Sequence, residues 1–410
     1  MGRIMSDVVL ISIARLVIIL GQLGYVKLYS NQLSNFELGT YFFLLTVSYS
    51  INAFLLIPVD YYQQSKIQNL WKTQKSLRVF LDFNKRILFY LSLAVLVVAV
   101  IVGIFRPAAF FSIVTAGAMA MLIYANQALR NTLNNLEHKK LTACSMVAEA
   151  VLKMVLFWLF LIFMPAKGIT LLFSGVVALL LVLFFLLWKT DQLNLFVISD
   201  VFPFEKIKLS RIWNFCLPIS ICAVFNWIQL QGYRLILVPL GYTEIVGIYS
   251  TVSNIGSAVM SASSAIFSQL FVPKIYQSEG KYTGIYTRNA LLLVAAVLIG
   301  GLVFSDFMVS LLTKESFVKY SWLIFFGIIA EAGNFLIGAF SIHVTLTGAT
   351  RTMLKSSLFG VFFMALVFFA IYYFSTVQVS NVGLPIVISQ ISIVLYMYIV
   401  FKKSGKTEKC

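Results

Sequence analysis

The sequence predicts an all-α polytopic membrane protein, with about twelve transmembrane helices in two parallel six-helix lobes around a central cavity. Three observations lead there: composition, the sidedness of the basic residues, and an internal repeat. Of 410 residues, 60% are hydrophobic and 11% charged, with mean hydropathy +0.93. A soluble domain averages about 45–50% apolar and about 25% charged residues, so this chain carries too few charges to cover a water-facing surface. Cys144, Cys216, Cys222 and Cys410 have no metal-ligand spacing and form no disulfide framework. The apolar N-terminal segment contains Arg15 and Gln22 and lacks a small-x-small cleavage site, so it reads as a retained first helix.

A bilayer core of roughly 30 Å needs about 20 apolar residues per helix. The chain offers stretches at 7–28, 37–62, 86–105, 108–130, 142–163 and 169–188, then 213–238, 245–272, 287–306, 321–347, 355–375 and 384–402. With the N-terminus placed in the cytoplasm, 23 of the 31 Lys and Arg residues fall in cytoplasmic segments, Arg130 among them, and five fall opposite. This satisfies the positive-inside rule, and a miscounted helix would scramble it. Both termini are then cytoplasmic. The formal charge of +16 is explained by topology and by attraction to anionic lipid, without nucleic acid. The longest loops, 63–85 and 189–212, are both cytoplasmic, and the second divides an N-lobe, 1–200, from a C-lobe, 201–410.

The halves echo one another. Helix 2 opens with FELGTYFF and its apolar run ends at Lys66; helix 8 opens with EIVGIYST and its run ends at Lys274. Gly39 and Gly247, Tyr41 and Tyr249, and the two lysines share an offset of 208. Thr132-Leu133 and Leu141 match Thr345-Leu346 and Leu354 at an offset of 213. Six spans per half make the repeats parallel, related by an axis along the membrane normal with a substrate site between them. That is an alternating-access transporter architecture.

The G-x-Y helix openings resemble the polysaccharide-exporter branch of the multidrug/oligosaccharidyl-lipid/polysaccharide flippase superfamily. The segment GYRLILVPLGYTEIVGIYS, 232–250, is similar to that branch's helix-7-to-8 signature. This chain has Tyr233-Arg234 where an Asp-Arg pair is common, so only Arg234 carries over. The resemblance is nearest to O-antigen and capsule repeat-unit flippases. It implies an inner-membrane transporter of undecaprenyl-diphosphate-linked oligosaccharides, with a proton or sodium counter-ion, other polysaccharide-assembly membrane proteins as partners, and no cofactor. Multidrug cation antiporters share the fold. A membrane enzyme such as a polymerase or acyltransferase would carry a sizeable outer loop, and every outer loop here is short.

Charge inside a bilayer costs about 2.5–3.5 kcal/mol per residue at a helix centre, so such residues face a cavity or a partner. Arg15 lies about eight residues into helix 1, with Gln22 on the same face. Lys153, midway along helix 5, has Glu149 one turn earlier, which suits an ion pair that neutralises itself. Arg234 lies near the outer end of helix 7, within snorkelling distance of the interface, on a helix made polar by Asn226, Gln229 and Gln231. Arg15, Gln22, Lys153, Gln229 and Arg234 are the candidate contacts for a diphosphate-sugar headgroup. Glu331, with no basic residue within a turn, leads the ion-coupling candidates, followed by Glu149 and an interfacial Asp60. The small residues of helix 8, Gly256 to Ala265, suit close helix packing or a sliding face.

Overall fold

The computed structural model describes residues 2–74, 77–193, 195, 209–278, 281–346 and 351–407. Every regular element among them is helical. The first half comprises α1 (Gly2–Gln32), α2 (Asn35–Ile51), α3 (Ile57–Gln74), α4 (Arg78–Phe105), α5 (Pro107–Asn135), α6 (Lys139–Phe163) and α7 (Gly168–Gln192). The second comprises α8 (Leu209–Leu237), α9 (Thr243–Gln277), α10 (Thr283–Val303), α11 (Ser305–Leu312), α12 (Ile324–Leu346), α13 (Arg351–Phe374) and α14 (Leu384–Thr407). Ten helices among the described residues are long and apolar enough to cross a membrane. The helices α1 and α8, with 31 and 29 residues, are also long enough. The chain is a multi-pass membrane protein.

Lipid forces this regularity, because backbone N–H and C=O groups in hydrocarbon must be satisfied within the segment. It also sorts the side chains. On α4, Phe89, Tyr90, Ile104 and Phe105 are all exposed, while α7 and α12 bury more than half of their spans. The exposed apolar faces meet lipid, and the two buried helices carry the cores.

Two predicted details are corrected. The segment 63–85 is mostly helix, since α3 runs on to Gln74 and α4 starts at Arg78. Polar helix extensions protrude beyond the apolar stretch, so hydropathy reads them as loop. Between α2 and α3 the chain widens into a π-helical turn, Asn52–Leu56, in which the Ile57 N–H reaches back five residues to the Asn52 carbonyl. Pro58 follows. It has no N–H to offer the helix and its ring crowds the carbonyl four residues back, and the wider turn absorbs both defects.

The chain packs as two compact units. Unit 1 comprises residues up to Leu33 and Thr40–Val224; unit 2 comprises Ser34–Gly39 and Phe225 onward. In unit 1, Leu129 and Leu133 of α5 meet Val182 and Leu186 of α7. In unit 2, Ile275 of α9, Tyr286 and Ala290 of α10, and Leu336 and Ala339 of α12 form one core. Phe340 and Val344 of α12 with Ile393 and Met397 of α14 form another.

Glycines set the closest approaches in unit 2. A Cβ on Gly327 would strike the Ser253 carbonyl, and one on Gly256 would strike the Ile324 carbonyl. Thus α9 and α12 meet backbone to backbone, and Ser257 Oγ adds a hydrogen bond to the Gly327 carbonyl at 3.1 Å. Of the two roles open to the small residues of helix 8, Gly256 fills the packing one. The start of α2 is held similarly. Ser34 Oγ accepts the Glu37 N–H at 3.2 Å, capping the helix start. A Cβ on Gly39 would strike the Thr243 carbonyl, and one on Gly247 would strike the Asn35 carbonyl.

Candidate functional site

In unit 2, α8, α9 and α12 enclose a polar cavity of about 160 Å³. Its lining includes Gln231, Arg234, Asn254, Glu331 and Asn334, with the hydroxyl groups of Tyr233, Ser253 and Ser257. Arg234, which the sequence sets within snorkelling distance of the interface, is 5% exposed. Packing by neighbouring helices covers it, which a single helix cannot reveal. Arg234 Nε donates to Tyr233 Oη at 2.8 Å, and that hydroxyl hydrogen-bonds Ser250 Oγ at 2.7 Å. The Tyr249 ring closes the nest, edge-on to Tyr233 at 5.2 Å. Tyr233 thus supplies an acceptor without a negative charge, at the position where the resembling sequences have Asp.

Gln231 Oε1 is buried and accepts no hydrogen bond among the described residues. Glu331 and Asn334 also line a second cavity of about 340 Å³, with Ser261, Ser264, Ser268 and Tyr286. The carboxylate therefore stands at the wall between two polar spaces of one unit. Gln229, another predicted substrate contact, does not line either cavity. It is buried, and its Nε2 donates to the Ser357 carbonyl of α13 at 2.9 Å, tying α8 to α13.

Unit 1 carries a charge cluster on α5 and α6. Glu149 accepts from Lys153 Nζ at 2.5 Å and from Arg130 Nη1 at 2.6 Å. Arg130 also donates to Ser145 Oγ at 2.9 Å and to the Ser145 carbonyl at 3.1 Å. The predicted Glu149–Lys153 pair is present, but it is two-thirds of a triad. The sequence sets Arg130 at the cytoplasmic end of the span 108–130; it lies on α5, which runs on to Asn135, across a helical hairpin from Glu149. The triad keeps one net positive charge, which a self-neutralising pair would not. The signal that could have found Arg130 is the short connection between helices 4 and 5, which makes them antiparallel neighbours.

Asp60, the interfacial candidate, is buried at 3% exposure. Its Oδ2 accepts from Asn131 Nδ2 at 2.6 Å and Gln64 Nε2 at 2.8 Å. Gln22 is exposed on α1. Arg15 lies on the α1 backbone, but its side chain is outside the described residues. Further along α1, Gly21 and Gly24 face Ala150 and Met154, next to the triad residues of α6.

No protein-family model matches the sequence, and neither does any curated protein. Solved structures do match. An outward-facing and an inward-facing multidrug resistance MATE family transporter of the MOP superfamily align at 15% and 16% identity, with TM-scores of 0.65 and 0.66. Each covers 98% of this chain, and the alignments span 96% and 99% of those chains. The lipid II flippase MurJ, in an inward closed conformation, aligns at 14% identity with a TM-score of 0.71 over 96% of this chain and 87% of that one. The chain has the fold of MOP-superfamily transporters.

Proposed function

We propose that the chain is a flippase that moves an undecaprenyl-diphosphate-linked O-antigen or capsular repeat unit across the bacterial inner membrane by alternating access. The observation that carries this reading is Arg234. Its guanidinium is buried in a cavity walled by amides, hydroxyls and the Glu331 carboxylate, and its Nε donates to the Tyr233 hydroxyl. A diphosphate or an acidic sugar needs a desolvated cation, and neutral sugars need amides and hydroxyls to replace water. Lys153, left in surplus by the Arg130–Glu149 pair, adds a second basic point. The prenyl chain stays in lipid. No bond is made or broken, so no catalytic residue, nucleotide or cofactor is required. The halves 1–200 and 201–410 act as the two lobes, with both termini cytoplasmic.

Coupling to a proton or sodium ion falls to Glu331. Glu149 is engaged by two cations and Asp60 by two amides, whereas Glu331 faces both cavities. The same carboxylate favours a second reading, multidrug cation antiport, because Tyr249, Tyr286 and Phe335 line those cavities with it. Reconstituted vesicles separate the two. Flipping makes a polyprenyl-diphosphate oligosaccharide of the inner leaflet accessible to an external lectin, and Arg234→Ala stops it. Gradient-driven ethidium efflux with no lectin-accessible glycolipid overturns the flippase reading and leaves the antiporter.

A further inference from the structure

Unit 1 contains a groove whose lining shares no residue with the two cavities of unit 2. It has a volume of about 270 Å³ and lies between α4 and α5, with α3 and α7 closing its sides. Leu77, just before α4, and Phe80, Leu81 and Leu88 of α4 line it, with Leu183 and Leu187 of α7. On α5 the lining runs from Tyr124 to Thr132, so the groove is about 12 Å long at ~1.5 Å per residue. Its polar floor is internally satisfied. Asn84 Oδ1 accepts from Gln63 Nε2 at 2.6 Å and from Tyr124 Oη at 2.7 Å, and Asn84 Nδ2 donates back to Gln63 at 3.2 Å. Groups already paired in this way tolerate an apolar occupant.

One cation borders the groove. Lys85 is exposed and lines it. The acid nearest in sequence, Asp82, is taken by Arg78 at 3.7 Å, and no carboxylate pairs with Lys85 among the described residues. The depth of the groove is also marked. Trp188 is 57% exposed with Lys189 Nζ 4.3 Å from its ring centre, the arrangement of an aromatic belt at headgroup level. Leu187, its neighbour, lines the groove, and Leu183 lines it one turn deeper. The groove therefore begins at the headgroups and runs into the acyl region. It does so at the end of unit 1 that carries Lys66, Lys72, Arg78, Arg86 and Lys189.

We infer that this groove binds one anionic phospholipid of the cytoplasmic leaflet, with an acyl chain along α4 and α5 and the phosphate at Lys85. Basic pockets between membrane helices on the cytoplasmic side select anionic headgroups, and a basic residue near the phosphate is worth about five-fold in affinity. Apolar walls supply the remainder without regard to headgroup.

The test is native mass spectrometry of the purified full chain, titrated with phosphatidylglycerol and with phosphatidylcholine of the same acyl chains. Phosphatidylglycerol binds about five-fold more tightly, and Lys85→Ala brings the two lipids level. Lys167→Ala, on the opposite side by sequence topology, leaves the preference intact. Ala125→Phe fills the groove from α5 and removes both lipids; Leu183→Phe fills it from α7 if the first variant fails to fold. Equal binding of the two lipids by the unmodified protein overturns the inference, as does a preference that survives Lys85→Ala or a lipid that survives both filling variants. Undecaprenyl phosphate binding tenfold more tightly than phosphatidylglycerol, through Lys85, also overturns it and gives the groove to the transported lipid.

Discussion

Replacing Glu149 with glutamine removes the one negative charge that holds two cations together inside unit 1. The carboxylate meets Arg130 at 2.6 Å and Lys153 at 2.5 Å, and the three side chains are 13%, 19% and 24% exposed for Arg130, Glu149 and Lys153. Charge centres in such contacts lie roughly 4 Å apart, so each attraction is about 4 kcal/mol at an effective dielectric near 20. The amide keeps the size and part of the hydrogen bonding but loses both attractions. Two like charges then face each other in a partly desolvated site. Breaking a buried pair in this way costs about 3–5 kcal/mol, because the desolvation already incurred is no longer offset.

That loss corresponds to a fall in apparent Tm of about 5–10 °C, depending on whether one lobe or the whole chain unfolds together. Lys153→Met is the contrast. It leaves the Arg130–Glu149 pair whole and removes the Arg130–Lys153 repulsion, so it costs less than Glu149→Gln. The double variant Glu149→Gln/Lys153→Met restores the net charge of the triad and recovers more than half of the loss. The assay heats detergent-solubilised protein and measures the monodisperse fraction by size exclusion. A Glu149→Gln protein melting within about 2 °C of the unmodified one refutes the charge-bridge reasoning, as does a larger drop for Lys153→Met.

Other consequences are simpler to state. Gly327→Val drives a side chain into the Ser253 carbonyl and destabilises by about 1–3 kcal/mol or more, whereas Gly338→Ala, with open space at its Cβ, gains up to about 1 kcal/mol of helix propensity. Equal melting temperatures for the two would show that α9 and α12 do not pack through Gly327. Arg15→Ala abolishes surface polysaccharide while the protein stays at its normal membrane level; normal polysaccharide at that level removes Arg15 from the substrate path. Glu331→Gln makes transport indifferent to proton and sodium gradients, and a variant that still follows either gradient places the coupling group elsewhere.

What could be read in advance follows from what lipid enforces locally. Twelve stretches were visible because each helix must satisfy its own backbone and cover itself with apolar side chains. The Glu149–Lys153 pair was visible because four residues make one turn. Arg130 was not, because its partner lies nineteen residues away and an apolar window simply ends where an arginine begins. The burial of Arg234 and Asp60 was hidden for the same reason: distance from a helix end says nothing about which other helices cover a residue. Arg234 and Glu331 share a cavity only because α8 and α12 line the same space. The echo at an offset of 213 falls partly on residues 345–350, whose side chains lie outside the described residues.

The offset of 208 is another matter, because packing repeats it. Thr243 is the repeat counterpart of Asn35, and Gly247 of Gly39, each 208 residues on. Within unit 2, Gly39 lies against Thr243 and Gly247 lies against Asn35. The two approaches are reciprocal: the glycine of each segment lies against a backbone carbonyl of the other. That reciprocity needs two helix starts of the same shape, each with its carbonyl where the other lacks a side chain. One reciprocal contact therefore accounts for both glycines together. Each is small because the backbone of its own counterpart segment occupies the space that a Cβ would take.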